Sequence, residues 1–209
     1  MGYGMHATVS RLGLTEGIEG VLAGYLKART TETFNSESPM YRIFGDLRSA
    51  FTTAPTIARH EFIRVRASAG QGNWARVPWI AFLDNRETKS MMSGVYCAFL
   101  FRQDMTAVYL TLTQGVAEPR RALGRTAALE FLRRRAAEVL SFATSLPARG
   151  FSSDNGIDLR VDQGLAAHYK ASTITYKRYE KAAVPQQMDL LRDVEAALEG
   201  YDRFVTATR

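Results

Sequence analysis

From Phe62 the spacing of apolar residues changes from a helical period to strict alternation, and that change bounds the folds open to the chain. Four segments alternate: Phe62 to Ala67, Val77 to Leu83, Val95 to Arg102 and Ala107 to Thr113. The links between them are polar and short, SAGQGN, DNRETKSMMSG and a turn around Gln103 to Met105. A parallel crossover needs a dozen or more residues, normally with a helix, so these strands read as an antiparallel or mixed meander.

Helical periods flank this block. Leu14, Ile18, Val21, Leu22 and Tyr25 make one stripe, followed by a polar TTETFNSES linker. Ser38 and Pro39 then give a start signal, a side-chain cap before a residue whose missing N–H costs nothing at the first helical position. Met40, Ile43, Phe44, Leu47 and Phe51 form the stripe of that second helix. Beyond the strands, Pro119 opens a third helical region with Leu129, Leu132, Ala136, Val139 and Leu140 on one side. Residues 147–167 read as loop, Lys170 to Arg178 as a short extended piece, and a last helix starts near Gln186 with Leu191, Val194, Leu198, Tyr201 and Val205 inward. The expectation is an α+β fold in a single domain, a central mainly antiparallel or mixed sheet with flanking N- and C-terminal helices. Residues 14–209 form the domain, and the aperiodic residues 1–13 an N-terminal extension. At 209 residues and 46% hydrophobic, the chain supports one sizeable core.

No run of eighteen apolar residues and no leader with a cleavage site occurs, so no membrane partner is expected. The single cysteine, Cys97, has no internal partner for a disulfide, which fits a reducing cytoplasm. The formal net charge is +6, and 22 of the 27 cations are arginine. Arginine's planar fork suits phosphate oxygens, so the charge points toward a polyanion.

The usual catalytic chemistries find little support. Gly70-Gln71-Gly72-Asn73-Trp74-Ala75 satisfies the dinucleotide pattern GxGxxA, but that pattern works only when its last position opens a helix, and here Pro78 leads into another strand. No GxxxxGK[ST] loop exists. His6, His60 and His168 are scattered, and Cys97 has no CxxC partner, so neither a metal site nor a cofactor is expected. Asp84, Glu87 and Lys89 resemble the carboxylate and lysine set of magnesium-dependent nucleases, but solvated loop charges explain them better. Catalytic residues are therefore not assigned. Six arginines between Arg120 and Arg135 scatter round one helical wheel, so at most two or three could follow a phosphate backbone.

Alternation gives a sharper result. Trp79, Ala81 and Leu83 share one face of their strand, and Tyr96, Ala98 and Leu100 share one face of the next. If the faces coincide, large side chains surround two alanines and leave a depression suited to a flat, partly polar guest. The loop Ser68 to Asn73 would form its lip. Ordinary core packing accounts for the same residues, and alternation alone leaves both readings open.

Taken together, SAGQGNWARVPWIAFLD, GVYCAFLFRQD, VYLTLTQG, ITYKRYEKAAVP and LLRDVEAALEGYDRF resemble the MrcB-like N-terminal domain family, over roughly Leu14 to Val205. The resemblance implies a module of type IV restriction systems that binds double-stranded DNA carrying modified cytosine, 5-methylcytosine or a related mark. It implies a base flipped into an aromatic pocket, whose tryptophan, tyrosine and leucine fall here on Trp79, Tyr96 and Leu100. It also implies a fused or partner GTPase or nuclease effector. The family's aromatic in the glycine loop is replaced by Gln71, which cannot stack but can fill the gap in a duplex or bond a base edge. Ser68, Gly70, Gly72, Asn73 and Trp74 complete the expected DNA-contacting loop, and Arg64, Arg66 and Arg76 are the expected phosphate contacts.

Overall fold

A computed structural model describes residues 12–209. The expected extension at 1–13 lies outside the described residues apart from Leu12 and Gly13, as does His6. Helix α1 (Leu14–Thr31) buries Leu14, Ile18, Val21, Leu22 and Tyr25, the expected stripe. Helix α2 (Pro39–Thr53) starts as its sequence demands, with the Ser38 hydroxyl accepting from the Tyr41 amide at 3.1 Å and Pro39 in the first turn. A single turn, α3 (Pro55–Ala58), leads into the sheet.

The sheet has five strands in the order β1 (Ile63–Gly70), β2 (Trp74–Asp84), β3 (Val95–Phe101), β4 (Ala107–Gln114) and β5 (Thr173–Glu180). Every neighbouring pair is antiparallel, so the mixed alternative is excluded. β3 and β4 are buried along their whole length, which requires cover on both faces. On one face Ile80, Phe82, Cys97, Phe99, Phe101, Val108 and Leu110 meet α1, α2 and the last helix, α7 (Gln187–Ala207). Phe51 anchors this layer, edge-on to Phe82 at 5.2 Å and stacked on Phe99 at 5.5 Å. Cys97 is fully buried here, and burial pushes its thiol up, so it behaves as a small apolar side chain. The opposite face carries Val77, Ala81, Leu83, Tyr96, Ala98, Leu100 and Tyr109, roofed by Ile157 and Leu159.

Two expectations change. The third helical region is two helices, α4 (Ala117–Leu123) and α5 (Arg125–Leu140), broken at Gly124, whose φ of 77° is open to glycine at little cost. The stretch read as loop and then extended chain contains helix α6 (Gln163–Ser172), and β5 begins only at Thr173. The Asp162 carboxylate caps α6 by accepting from the Leu165 amide at 3.0 Å. With Gly164 and three alanines in ten residues, its apolar period is too weak to read.

One hydroxyl ties the layers together. Tyr201 of α7, fully buried, donates to the Val95 carbonyl at 2.5 Å and accepts from the Asp84 amide at 3.2 Å, joining the end of β2 to the start of β3. Removing it leaves buried backbone groups unpaired. Tyr201→Phe is expected to lower unfolding free energy by about 1–3 kcal/mol in denaturant titration, without changing the fold.

Candidate nucleic-acid interface

The register of β2 against β3 decides what the face of the sheet opposite α1, α2 and α7 presents. Trp79 pairs with Leu100 and Ala81 with Ala98, while Ile80 opposite Phe99 belongs to the other face. The two faces proposed from alternation therefore coincide. Trp79, Tyr96 and Leu100 line one cavity of about 230 Å³. That volume falls below the ~300–1,000 Å³ of pockets for drug-sized ligands and suits a single ring system. Ala81 and Ala98 lie fully buried beneath the roof and are not in the cavity wall. Their small size lets the larger neighbours lean over them.

The remaining wall comes from elements whose role alternation does not reveal. Helix α6 supplies Leu165, His168, Tyr169 and Ser172; the end of β4 and the approach to α4 supply Thr113, Gln114, Val116 and Ala117; Met91 closes one side. Burial pushes the Tyr96 and Tyr169 phenols up, and the neighbouring Tyr169 pushes Tyr96 further in the same direction. The Tyr96 hydroxyl donates to the Met91 carbonyl at 3.3 Å. The one sequence signal for the α6 wall is the capping aspartate, Asp162, ahead of an apolar residue.

The glycine-containing hairpin between β1 and β2 has a clamped neck and an exposed tip. Gly70 has φ of 137°, and a Cβ there would run into the Asn73 carbonyl oxygen. The Ser68 hydroxyl accepts from the Gly70 amide at 3.1 Å. From α1, the Tyr25 hydroxyl reaches the carbonyls of Ala69 at 2.5 Å and Ala75 at 2.9 Å. Trp74 is not part of the exposed loop: its ring stands edge-on to Tyr25 and Phe34, and its indole N–H donates to the Glu32 carbonyl at 3.0 Å. It anchors the neck instead. Only Gln71, Gly72 and Asn73 remain at the tip, all exposed. Because Ala75 continues into β2, no helix N-terminus follows the glycines, and the GxGxxA match lacks its phosphate-binding element.

β1 is the sheet edge, and its register puts Arg64 opposite Leu83, Arg66 opposite Ala81 and Ser68 opposite Trp79, on the cavity's side. Both arginines are exposed, and neither forms an ion pair among the described residues. Arg64 turns back to the carbonyls of Glu61 and Ile63. Arg76 is held only loosely, 3.8 Å from the exposed Asp162, an ion pair of little energetic weight.

The acidic residues weighed for a nuclease do not converge. Asp84, 2% exposed, is held by a forked contact from Arg86 at 2.6 and 3.0 Å, and Arg86 reaches on to Asp202 at 2.5 Å. Glu87 accepts from the Val95 amide and from Arg135, both at 3.0 Å. These carboxylates are tied into the scaffold. Two other cavities are larger, about 330 Å³ beside α4 and α5 and about 290 Å³ around His60 and Arg86. The wall of the first includes Pro119, Leu123 and Phe131, and the second contains the Asp84–Arg86–Asp202 network; neither includes Trp79, Tyr96 or Leu100.

The fold and site together define an α+β module built round one small aromatic cavity beside an arginine-bearing edge. The family model described as MrcB-like, N-terminal domain matches residues 20–206, and the chain belongs to that family. No curated protein and no solved structure matches the chain. No described helix is long and apolar enough to cross a membrane.

The neck clamp is directly testable. Tyr25→Phe leaves the Ala69 and Ala75 carbonyls without their buried donor, and is expected to cost about 1–3 kcal/mol in stability. Hydrogen exchange should show the loss concentrated at residues 69–75.

Proposed function

We propose that this domain is a DNA-binding specificity module that reads modified cytosine, 5-methylcytosine or a related mark, in duplex DNA by taking the flipped base into the Trp79 cavity. The observation that carries the proposal is that Trp79, Tyr96 and Leu100 line one ring-sized cavity, with the exposed Arg64 and Arg66 of the edge strand on the same side of the sheet and Gln71 exposed at the hairpin tip. Membership of the family supports a McrB-type N-terminal module. In the proposed arrangement the catalytic work of restriction falls to a fused or partner GTPase or nuclease in the cytoplasm, and this domain supplies recognition.

Extruding a base costs a few kcal/mol of stacking and pairing. Stacking on an aromatic side chain returns ~1–3 kcal/mol per base, and hydrogen bonds inside the cavity supply the rest. Arg64, Arg66 and Arg76 hold phosphates flanking the flipped nucleotide, a contribution independent of sequence and sensitive to salt. Gln71, at the end of a rigid neck, enters the space the base leaves, with Ser68 and Asn73 fixing the loop against the backbone. A methyl and a hydroxymethyl group differ by one hydroxyl, which an apolar wall rejects only weakly, so related marks compete for one site.

Trp79→Ala is expected to weaken binding to a 5-methylcytosine duplex by at least ~1 kcal/mol relative to the unmodified duplex, read by fluorescence anisotropy. A folded variant with unchanged discrimination would remove Trp79 from the site. Arg66→Ala should weaken modified and unmodified duplexes equally and lower the salt slope by about 1, the signature of a phosphate contact.

A further inference from the structure

Two residues of the cavity wall each carry a buried hydrogen-bonding group that the folded protein leaves unused, and both groups are acceptors. His168, 1% exposed, has its Nδ1 2.7 Å from the Gly164 carbonyl one turn back in α6. A carbonyl only accepts, so in the neutral imidazole the proton sits on Nδ1 and Nε2 is left with a lone pair. That Nε2 is buried without a partner. Gln114, 3% exposed, repeats the pattern: its Nε2 donates to the Leu132 carbonyl at 2.9 Å, which fixes the orientation of the amide, and its Oε1 is buried without a partner. Both residues line the cavity with Trp79, Tyr96 and Leu100.

Leaving a buried acceptor unpaired costs free energy that a ligand donor recovers. The other polar side chains of the wall are differently placed. Thr113 donates to the Ser172 carbonyl, Ser172 to the Tyr169 carbonyl, and Tyr96 to Met91. Tyr169 offers a hydroxyl that can donate or accept. The unmet demand is thus for donors. A methyl group satisfies none of it; an exocyclic amine carries two N–H groups.

Resting on the reading of the cavity as a base pocket, we propose that His168 and Gln114 make it selective for a pyrimidine bearing a 4-amino group, so that the domain takes 5-methylcytosine and excludes thymine. The two bases share the same 5-methyl and differ in that cytosine presents N4 as a donor where thymine presents O4 as an acceptor. An acceptor facing an acceptor leaves both unpaired. Sites built on hydrogen bonds discriminate more strongly than those built on shape, because the wrong ligand strands buried polar groups. Modified cytosine can deaminate to thymine, and this pair of acceptors would prevent the product from being read as the mark.

The test uses three duplexes differing at one position, with 5-methylcytosine, cytosine or thymine each opposite guanine, and the wild-type domain. The thymine mismatch is the easier base to extrude, so the comparison is weighted against the proposal. The expected result is at least tenfold tighter binding of the 5-methylcytosine duplex than of the thymine duplex. His168→Phe and Gln114→Met, which keep approximate size while removing the acceptors, should each reduce that ratio severalfold in protein that retains a cooperative melting transition. Equal binding of 5-methylcytosine and thymine, with both preferred to cytosine, would overturn the role of the acceptors while leaving the base pocket intact. Equal binding of all three would overturn the pocket reading as well. Equal binding by the wild-type domain overturns the proposal even if a variant does not fold.

Discussion

Everything about the candidate site depends on the pairing of β2 with β3. With Ile80 opposite Phe99 and Ala81 opposite Ala98, the aromatic residues are sorted: Phe82 and Phe99 go to the layer beneath α2, and Trp79 and Tyr96 go to the other side. A slip of one residue would exchange the two sets and put tryptophan in the core and phenylalanine in the cavity. The pairing is protected on both sides. Phe51 packs between Phe82 and Phe99 on one face, and the Tyr201 hydroxyl bridges Asp84 and Val95 at the strand ends. Burying residues of this size stabilises the native register by several kcal/mol over any alternative that exposes them.

The charges divide in a way the composition conceals. Arg86 and Arg135 hold Asp84, Asp202 and Glu87, and Arg102 bonds Asp158 at 3.1 Å. These arginines are scaffold, and the carboxylates they hold have no freedom to assemble elsewhere. Arg64 and Arg66, on the edge strand, form no ion pair among the described residues. An edge strand needs some device against pairing with another chain, and exposed arginines supply one. The same two side chains meet the requirements of a phosphate contact, so a stability device and a binding surface share residues.

The sheet was legible because alternation is a strong signal when strands are joined by short links, and the coincidence of Trp79, Tyr96 and Leu100 follows from it. The far wall of the cavity was not. Helix α6 hides behind Gly164 and a run of small residues, and His168, read as one of three scattered histidines, acquires meaning only when α6 is laid over the sheet. Trp74 misled for a related reason: its position beside the glycines suggested the DNA-contacting loop, whereas its packing depends on Tyr25 and Phe34, more than thirty residues away. The break at Gly124 is a backbone conformation, φ 77°, that no hydrophobic period records. Local pattern exposes what neighbours in sequence decide; contacts between distant segments complete the site.

The measurement that bears most directly on this account is a competition titration of the wild-type domain against one duplex carrying a central cytosine that is unmodified, 5-methylated, 5-hydroxymethylated or N4-methylated, at two salt concentrations. The account predicts a preference for a modified cytosine that persists at both salts, over a background that weakens for every duplex as salt rises. Equal and equally salt-sensitive binding of all four would contradict it, leaving the arginine edge as a non-specific DNA contact and the Trp79 cavity without a base to read.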